Sequence, residues 1–137
     1  LASIEFNADN AGIARRILDH AGVGGEVAIV VGTLGDGGST IAAVESEHGF
    51  GPGALELVFI DHDKDEYVPD LRRMLDRGWL HPGSIAVADN VKTPGAPEYR
   101  ALMEAEEGRS WRTTEHETHV EYQSLMKDLV LESEYLG

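Results

Sequence analysis

The 137-residue sequence contains no cysteine, which excludes disulfide bridges, thiolate zinc sites and cysteine nucleophiles. Basic residues are scarce: 11 Lys and Arg stand against 25 Asp and Glu, for a formal net charge of -14. A chain of that sign repels phosphate backbones and anionic lipid, so neither nucleic acid nor a membrane surface is an expected partner. No apolar run approaches the roughly 20 residues that a membrane-spanning helix needs. Together with the missing cysteines, this leads us to expect a cytoplasmic protein. Two common signatures are also absent. His116 and His119 stand in HETH rather than in the HExxH spacing of a zinc helix, and on an extended segment they are expected to face solvent. The loop GTLGDGG lacks the Lys-Ser/Thr that completes a phosphate-binding loop. What is present is 42% hydrophobic content, enough to fill the core of one domain.

Hydrophobic periodicity divides the chain into alternating elements. Leu1 to Phe6 reads as a buried strand, followed by a helix start at Asn7/Asp9 and an amphipathic helix in which Ile13, Ile17 and Leu18 keep helical spacing and Gly22 supplies the stop. A second strand, residues 27–31, is apolar throughout, as expected of a strand covered on both faces. After the glycine-rich loop and the short helix IAAVESEHG comes a third strand, residues 55–60. The helix YVPDLRRMLDRG tolerates Pro69 only because it lies in the first turn, and Gly78 ends it. A fourth strand, residues 84–89, runs into the loop KTPGAPEY and the helix EYRALMEAEEG. The tail changes character: WRTTEHETHVEYQ and DLVLESEYL read as an antiparallel pair joined around Ser124 to Lys127.

Strands alternating with helices predict an α/β fold with a mostly parallel, open sheet and a C-terminal antiparallel hairpin. Ligands of such sheets sit beyond the carboxyl ends of the strands. Three of the four parallel strands end in acids: Glu5 after the first, Asp61 after the third, and Asp89 with Asn90 after the fourth. Asp61, Asp89 and Asn90 offer two carboxylates and an amide oxygen, hard ligands that suit Mg²⁺, with Mn²⁺ or Ca²⁺ as substitutes. A divalent ion there favours the ionised form of a hydroxyl group and makes it a competent nucleophile near neutral pH. Lys64 lies inside the acidic string FIDHDKDEY. Taken alone it reads as a neutralising surface salt bridge; beside a bound cation it reads as a proton acceptor.

The strings FIDHDKDEY, GSIAVADNVKTPGAPEY and HVEY, with SIEFNAD upstream, resemble catechol O-methyltransferase over nearly the whole chain and in the same order. The resemblance implies a Rossmann-like methyltransferase sheet and transfer of a methyl group from S-adenosylmethionine to a small phenolic substrate held on Mg²⁺. It implies that Asp61, Asp89 and Asn90 hold the metal, that Lys64 is the general base, and that Glu121 hydrogen-bonds the second catechol hydroxyl. It also implies that Glu5 grips the ribose of the cofactor, with His62 and Asp61 beside it. Pro94 becomes part of the wall flanking the catechol ring, so that Lys64, Asn90, Pro94 and Glu121 together form the substrate side.

The chain departs from that pattern at Asp63, where catechol enzymes carry an aromatic residue, and at Leu34 and Gly35, where polar residues contact adenine. DHDKDEY leans toward the caffeoyl-CoA type of magnesium-dependent O-methyltransferase, which is one alternative; a non-catalytic metal-binding or interaction module is another. The family's first strand and the glycine-rich turn after it have no counterpart here, because AGVGG precedes a strand instead of following one. We therefore expect residues 1–137 to be a single methyltransferase domain lacking its N-terminal strand and helices. The strand that starts at Leu1 should then have one unpaired flank, and the chain by itself should bind S-adenosylmethionine weakly and methylate nothing.

Overall fold

In the computed structural model, which describes residues 1–119 and 125–137, the helix start read at Asn7 is a side-chain cap. Asn7 Oδ1 accepts the backbone N–H of Asp9 (2.9 Å) and of Asn10 (3.2 Å), two amides at the start of α1 (Ala8–His20) that have no partner within the helix. The helix connects β1 (Ala2–Glu5) to β2 (Ala28–Val31), and the two strands pair in parallel from Ala2↔Ala28 to Glu5↔Val31. Asp36 then opens α2 (Ser39–His48): its carboxylate accepts the hydroxyls of Ser39 and Thr40, both at 2.6 Å, and the backbone N–H of Gly38 at 3.1 Å. Those hydroxyl bonds, with the backbone bonds behind them, hold the Asp36 carboxyl far below the usual carboxylate range despite the opposing effect of burial. Gly32 is required beneath this cap, since a Cβ there would lie 1.9 Å from Thr40 Oγ1.

Contacts group the chain into two compact units, residues 1–50 and 51–137. The second unit carries β3 (Leu55–Ile60), α3 (Tyr67–Asp76), β4 (Leu80–Ala88), α4 (Pro97–Ala105), β5 (Trp111–His119) and β6 (Lys127–Tyr135). Its four strands are ordered β3-β4-β6-β5, with β3 and β4 parallel and β6 antiparallel to both β4 and β5. The hairpin read from the tail is present, in register from Trp111↔Tyr135 to His119↔Lys127. Part of its expected turn, including Ser124, lies outside the described residues.

Strand β4 starts at Leu80, four residues ahead of the expected Ser84. The reason is a side chain: Ser84 Oγ accepts the N–H of His81 (2.9 Å) and donates to Leu55 O (2.7 Å), bridging an irregularity in the β3–β4 ladder and keeping Pro82-Gly83 within the strand although Gly83 has a positive φ of 97°. Helix α4 starts at Pro97, one residue earlier than read, because proline suits the first helical position, where no N–H is needed. Its glutamate-rich end, Glu106 to Gly108, falls outside the helix.

The described strands form two sheets, so β1 has β2 as its only described partner and β3 has only β4. In the second unit Tyr67, Leu71, Trp79, Tyr99 and Met103 are buried, and the rings of Tyr67 and Tyr99 meet edge to face at 5.7 Å. Each such side chain contributes roughly 1.5–3 kcal/mol by leaving water. This packing fixes α3 and α4 against the sheet and thereby fixes what projects from the carboxyl ends of β3 and β4. No helix among the described residues is long and apolar enough to cross a membrane.

Candidate functional site

The parallel register of β3 and β4 runs through Ile60↔Ala88, so the next residue of each strand, Asp61 and Asp89, leaves the sheet at the same end. One further ladder bond, Asp89 N–H to Ile60 O at 3.0 Å, locks that juxtaposition. Past Asp61 the chain turns back. Asp63 Oδ1 accepts the N–H of Asp65 (3.1 Å), opening a single helical turn, Lys64–Glu66, that leads into α3. The turn brings Lys64 over the two strand ends. Its Nζ donates to Asp61 Oδ1 and to the carbonyl of Asp89, both at 3.3 Å, and to the hydroxyl of Tyr67.

Tyr67 in turn donates to the Asp89 carbonyl at 3.0 Å, so lysine, phenol and strand end form a closed set of contacts. Burial, followed by the negative fields of Asp61 and Asp89, pushes the Tyr67 phenol well above its ordinary value, and it stays an O–H donor at neutral pH. The Lys64 side chain is only 18% exposed, whereas that of Asp61 is 44% exposed. The lysine is thus held from below while the carboxylate beside it faces outward.

Asn90 sits in the left-handed region (φ 53°, ψ 37°), a conformation that asparagine tolerates better than most residues. Its N–H donates to Asp89 Oδ1 at 2.8 Å, and its side-chain Nδ2 donates to Asp128 Oδ2, also at 2.8 Å. Asp128 belongs to β6 and is 1% exposed. Its other oxygen, Oδ1, accepts the backbone N–H groups of Lys92 (3.2 Å), Thr93 (2.9 Å) and Leu129 (2.7 Å). Burial pushes the Asp128 carboxyl up, but the bonds from Asn90 and from these three amides outweigh it and hold the group below the usual carboxylate range. It is therefore an anion at neutral pH, with acceptors only.

These donors fit a hard divalent ion. Asp61 presents an outward carboxylate, Asp89 lies beside it, and Asn90 has turned its amide nitrogen to Asp128, which leaves Oδ1 without a hydrogen-bond donor among the described residues. No three of His, Cys, Asp and Glu gather as a metal-binding group among the described residues; the predicted set has two carboxylates and takes its third oxygen from an amide.

The remaining predicted residues are placed separately. Glu5 ends β1 in the first unit, and its Oε1 accepts the N–H of Asn7 at 2.7 Å, which orients the carboxylate. His62 donates through Nε2 to Asp70 Oδ2 at 3.0 Å, with its ring 5.1 Å from that of Tyr67. Pro94 lies in the turn Val91–Gly95 that directly follows Asn90, after a cis peptide bond. Glu121 lies outside the described residues. His116 pairs with Glu132 at 3.0 Å on the exposed hairpin, as its solvent-facing reading expected. Sequence reading missed Tyr67 and Asp128. Tyr67 follows Lys64 at a spacing of three, one helical turn, and Asp128 is an acid at the head of the otherwise apolar run LVL.

A model of the O-methyltransferase family matches residues 1–114. The chain belongs to that family. Among its relatives, a protein described as a probable O-methyltransferase of Mycobacterium tuberculosis is 63% identical over 135 residues, covering 98% of this chain and 58% of that protein. Catechol O-methyltransferase B of Danio rerio is 38% identical over 137 residues, covering 100% of this chain and 49% of that protein. The chain thus spans about half the length of these family members. The fold is shared as well: an O-methyltransferase from Bacillus cereus, solved in complex with SAH, superposes with a TM-score of 0.75 at 21% identity, covering 98% of this chain and 61% of that one.

Proposed function

We propose that this protein transfers a methyl group from S-adenosylmethionine to one hydroxyl of a catechol-like vicinal diol held on Mg²⁺. The observation that carries the reading is the position of Lys64, held by Tyr67 and by the Asp89 carbonyl directly beside Asp61. In this reading Asp61, Asp89 and Asn90 hold the ion, which supplies Lewis-acid activation of the diol oxygens. S-adenosylmethionine supplies an electrophilic methyl carbon. Lys64 in its neutral amine form, with its two N–H groups on Tyr67 and the Asp89 carbonyl, has a lone pair with which Nζ accepts the proton of the reacting hydroxyl, and those contacts fix the direction from which it does so. Glu121 orients the second hydroxyl, Pro94 limits the tilt of the ring, Asn90 borders the substrate, and Glu5 binds the ribose diol with the carboxylate oxygen left over from its bond to Asn7. His62 and Asp61 border the cofactor.

Two relatives support the substrate class. Catechol O-methyltransferase B of Danio rerio is 38% identical, and catechol O-methyltransferase of Sus scrofa is 36% identical over 129 residues. The test is transfer of an isotopically labelled methyl group from S-adenosylmethionine to catechol by the full-length protein, read by mass spectrometry with Mg²⁺ and with a chelator. We expect labelled monomethyl ether only with the metal. Product formed equally well in chelator would remove the metal from the reading. Methylation of a caffeoyl-CoA ester but not of catechol would favour the caffeoyl-CoA type, and transfer to neither would favour a binding module.

A further inference from the structure

We propose that Asp128 is a positioning residue that selects which end of the Asn90 amide faces the metal, an inference that rests on the metal reading given above. An asparagine side chain has two ends of nearly equal shape and opposite chemistry: the oxygen can ligate a cation, whereas the NH₂ group cannot. Nothing in Asn90 itself decides between them. The decision comes from 38 residues further along the chain, where Asp128 Oδ2 accepts from Asn90 Nδ2 at 2.8 Å. Asp128 Oδ1 is filled by three backbone N–H groups and Oδ2 accepts from Asn90 Nδ2, so the nitrogen end of Asn90 faces β6 and the oxygen end turns away. Asp128 itself cannot swing aside. Its Oδ1 is tied to the N–H groups of Lys92, Thr93 and Leu129, and the residue is 1% exposed. These bonds anchor it to β6 and to the turn that follows Asn90, so the strand pairing of β4 with β6 sets the aim of the ligand. A ligand group whose orientation is fixed by an outer partner loses that orientation when the partner changes, typically at a 10- to 100-fold cost in metal affinity.

The two oxygens of Asp128 have separate tasks, which makes a clean test available. Asp128→Asn can keep an oxygen at the Oδ1 position, where three backbone amides point, and must then put NH₂ where Oδ2 was. Two NH₂ groups would face each other, and Asn90 relieves this by turning its oxygen to residue 128 and its nitrogen to the metal. Adding Asn90→Asp repairs the arrangement, because an aspartate at 90 accepts from the new NH₂ with one oxygen and presents the other to the ion.

The measurement is Mn²⁺ affinity of the full-length protein by electron paramagnetic resonance, with hydrogen exchange of the Asn90 side-chain NH₂ followed by NMR as a readout that needs no metal. We expect Asp128→Asn to weaken Mn²⁺ binding roughly 10- to 100-fold and to speed exchange of that NH₂, with the melting temperature little changed. The double variant Asp128→Asn/Asn90→Asp should regain most of the lost affinity. Unaltered affinity and exchange in Asp128→Asn would overturn the inference while leaving the metal site standing. Weak binding in both variants would reduce Asp128 to a structural cap of the turn. Absence of Mn²⁺ binding in the unsubstituted protein would overturn the metal reading and this inference with it.

Discussion

The two units of this chain are stabilised in different ways. In residues 1–50 the helices are opened by side-chain caps, Asn7 for α1 and Asp36 for α2, while the buried hydrophobic residues are few and small to medium: Ala11, Leu34 and Val44. Leu1, Phe6, Ile13 and Ile17 remain exposed, so the apolar stripe that identified α1 in the sequence is not a buried stripe here. Residues 51–137 instead bury a cluster of aromatic and aliphatic side chains around Tyr67, Trp79 and Tyr99. The difference teaches where a site can be built. Groups that must keep their aim need packed neighbours, and Lys64, Asp89 and Asn90 stand on the well-packed unit. In the first unit the Glu5 carboxylate is oriented by a single bond, from the N–H of Asn7.

The largest effect should come from the best-held group of the packed unit. Lys64→Met is expected to lower turnover of the full-length protein by roughly 10² to 10⁴ while leaving cofactor affinity nearly unchanged; steady-state kinetics with calorimetric titration would show it. Unaltered turnover would reduce Lys64 to a salt bridge with Asp61. A direct contrast of the units comes next. Leu71→Ala, in the buried cluster, should cost about 2–5 kcal/mol of unfolding free energy, whereas Ile17→Ala, on the exposed face of α1, should stay within about 0.5 kcal/mol. Equal losses in denaturant titrations would erase the distinction.

Tyr67→Phe tests the link between packing and site. The ring is kept, but the bonds to Lys64 and to the Asp89 carbonyl are lost, so stability should fall by about 1 kcal/mol and turnover should fall with it. Loss of stability alone would show that the phenol supports the fold and not the lysine. The smallest effect belongs to the first unit. Because the folded Asp36 carboxyl titrates below its unfolded value, its contribution is complete above the ordinary carboxylate range and is lost as pH falls beneath it. The protection of the Thr40 amide against exchange, relative to its intrinsic rate at each pH, should therefore fall on acidification, and Asp36→Asn should flatten that dependence; an unchanged pH response in the variant would assign the effect to other carboxylates.

Much of this was readable from residue order. Alternating strands and helices, the Asn7 cap, the hairpin, and the acids after β3 and β4 follow from local patterns, which depend on neighbours a few residues away. The start of β4 did not, because Pro82-Gly83 carries a turn signal and only the distant Leu55, reached through Ser84, keeps it within the strand. Tyr67 and Asp128 were missed for a related reason. Each has an ordinary local role, one as a helix residue and one as a strand residue, and its bearing on the site exists only through contacts with Asp89 or Asn90 formed on folding. Ile13 and Ile17 show the reverse: helical spacing predicts a helix correctly but does not say that its apolar face is covered.

The central claim is that Asp61, Asp89 and Asn90, at the carboxyl ends of two adjacent strands, form one cation site beside Lys64. Paramagnetic broadening of backbone amide signals on adding a small fraction of Mn²⁺ tests it most directly, because the broadening falls steeply with distance from the ion. The account predicts that the signals of residues 61–64 and 89–91 vanish first, and that excess Mg²⁺ restores them. Broadening spread over the acidic surface, such as Glu104 to Glu107, with residues 61–64 and 89–91 spared, would contradict it.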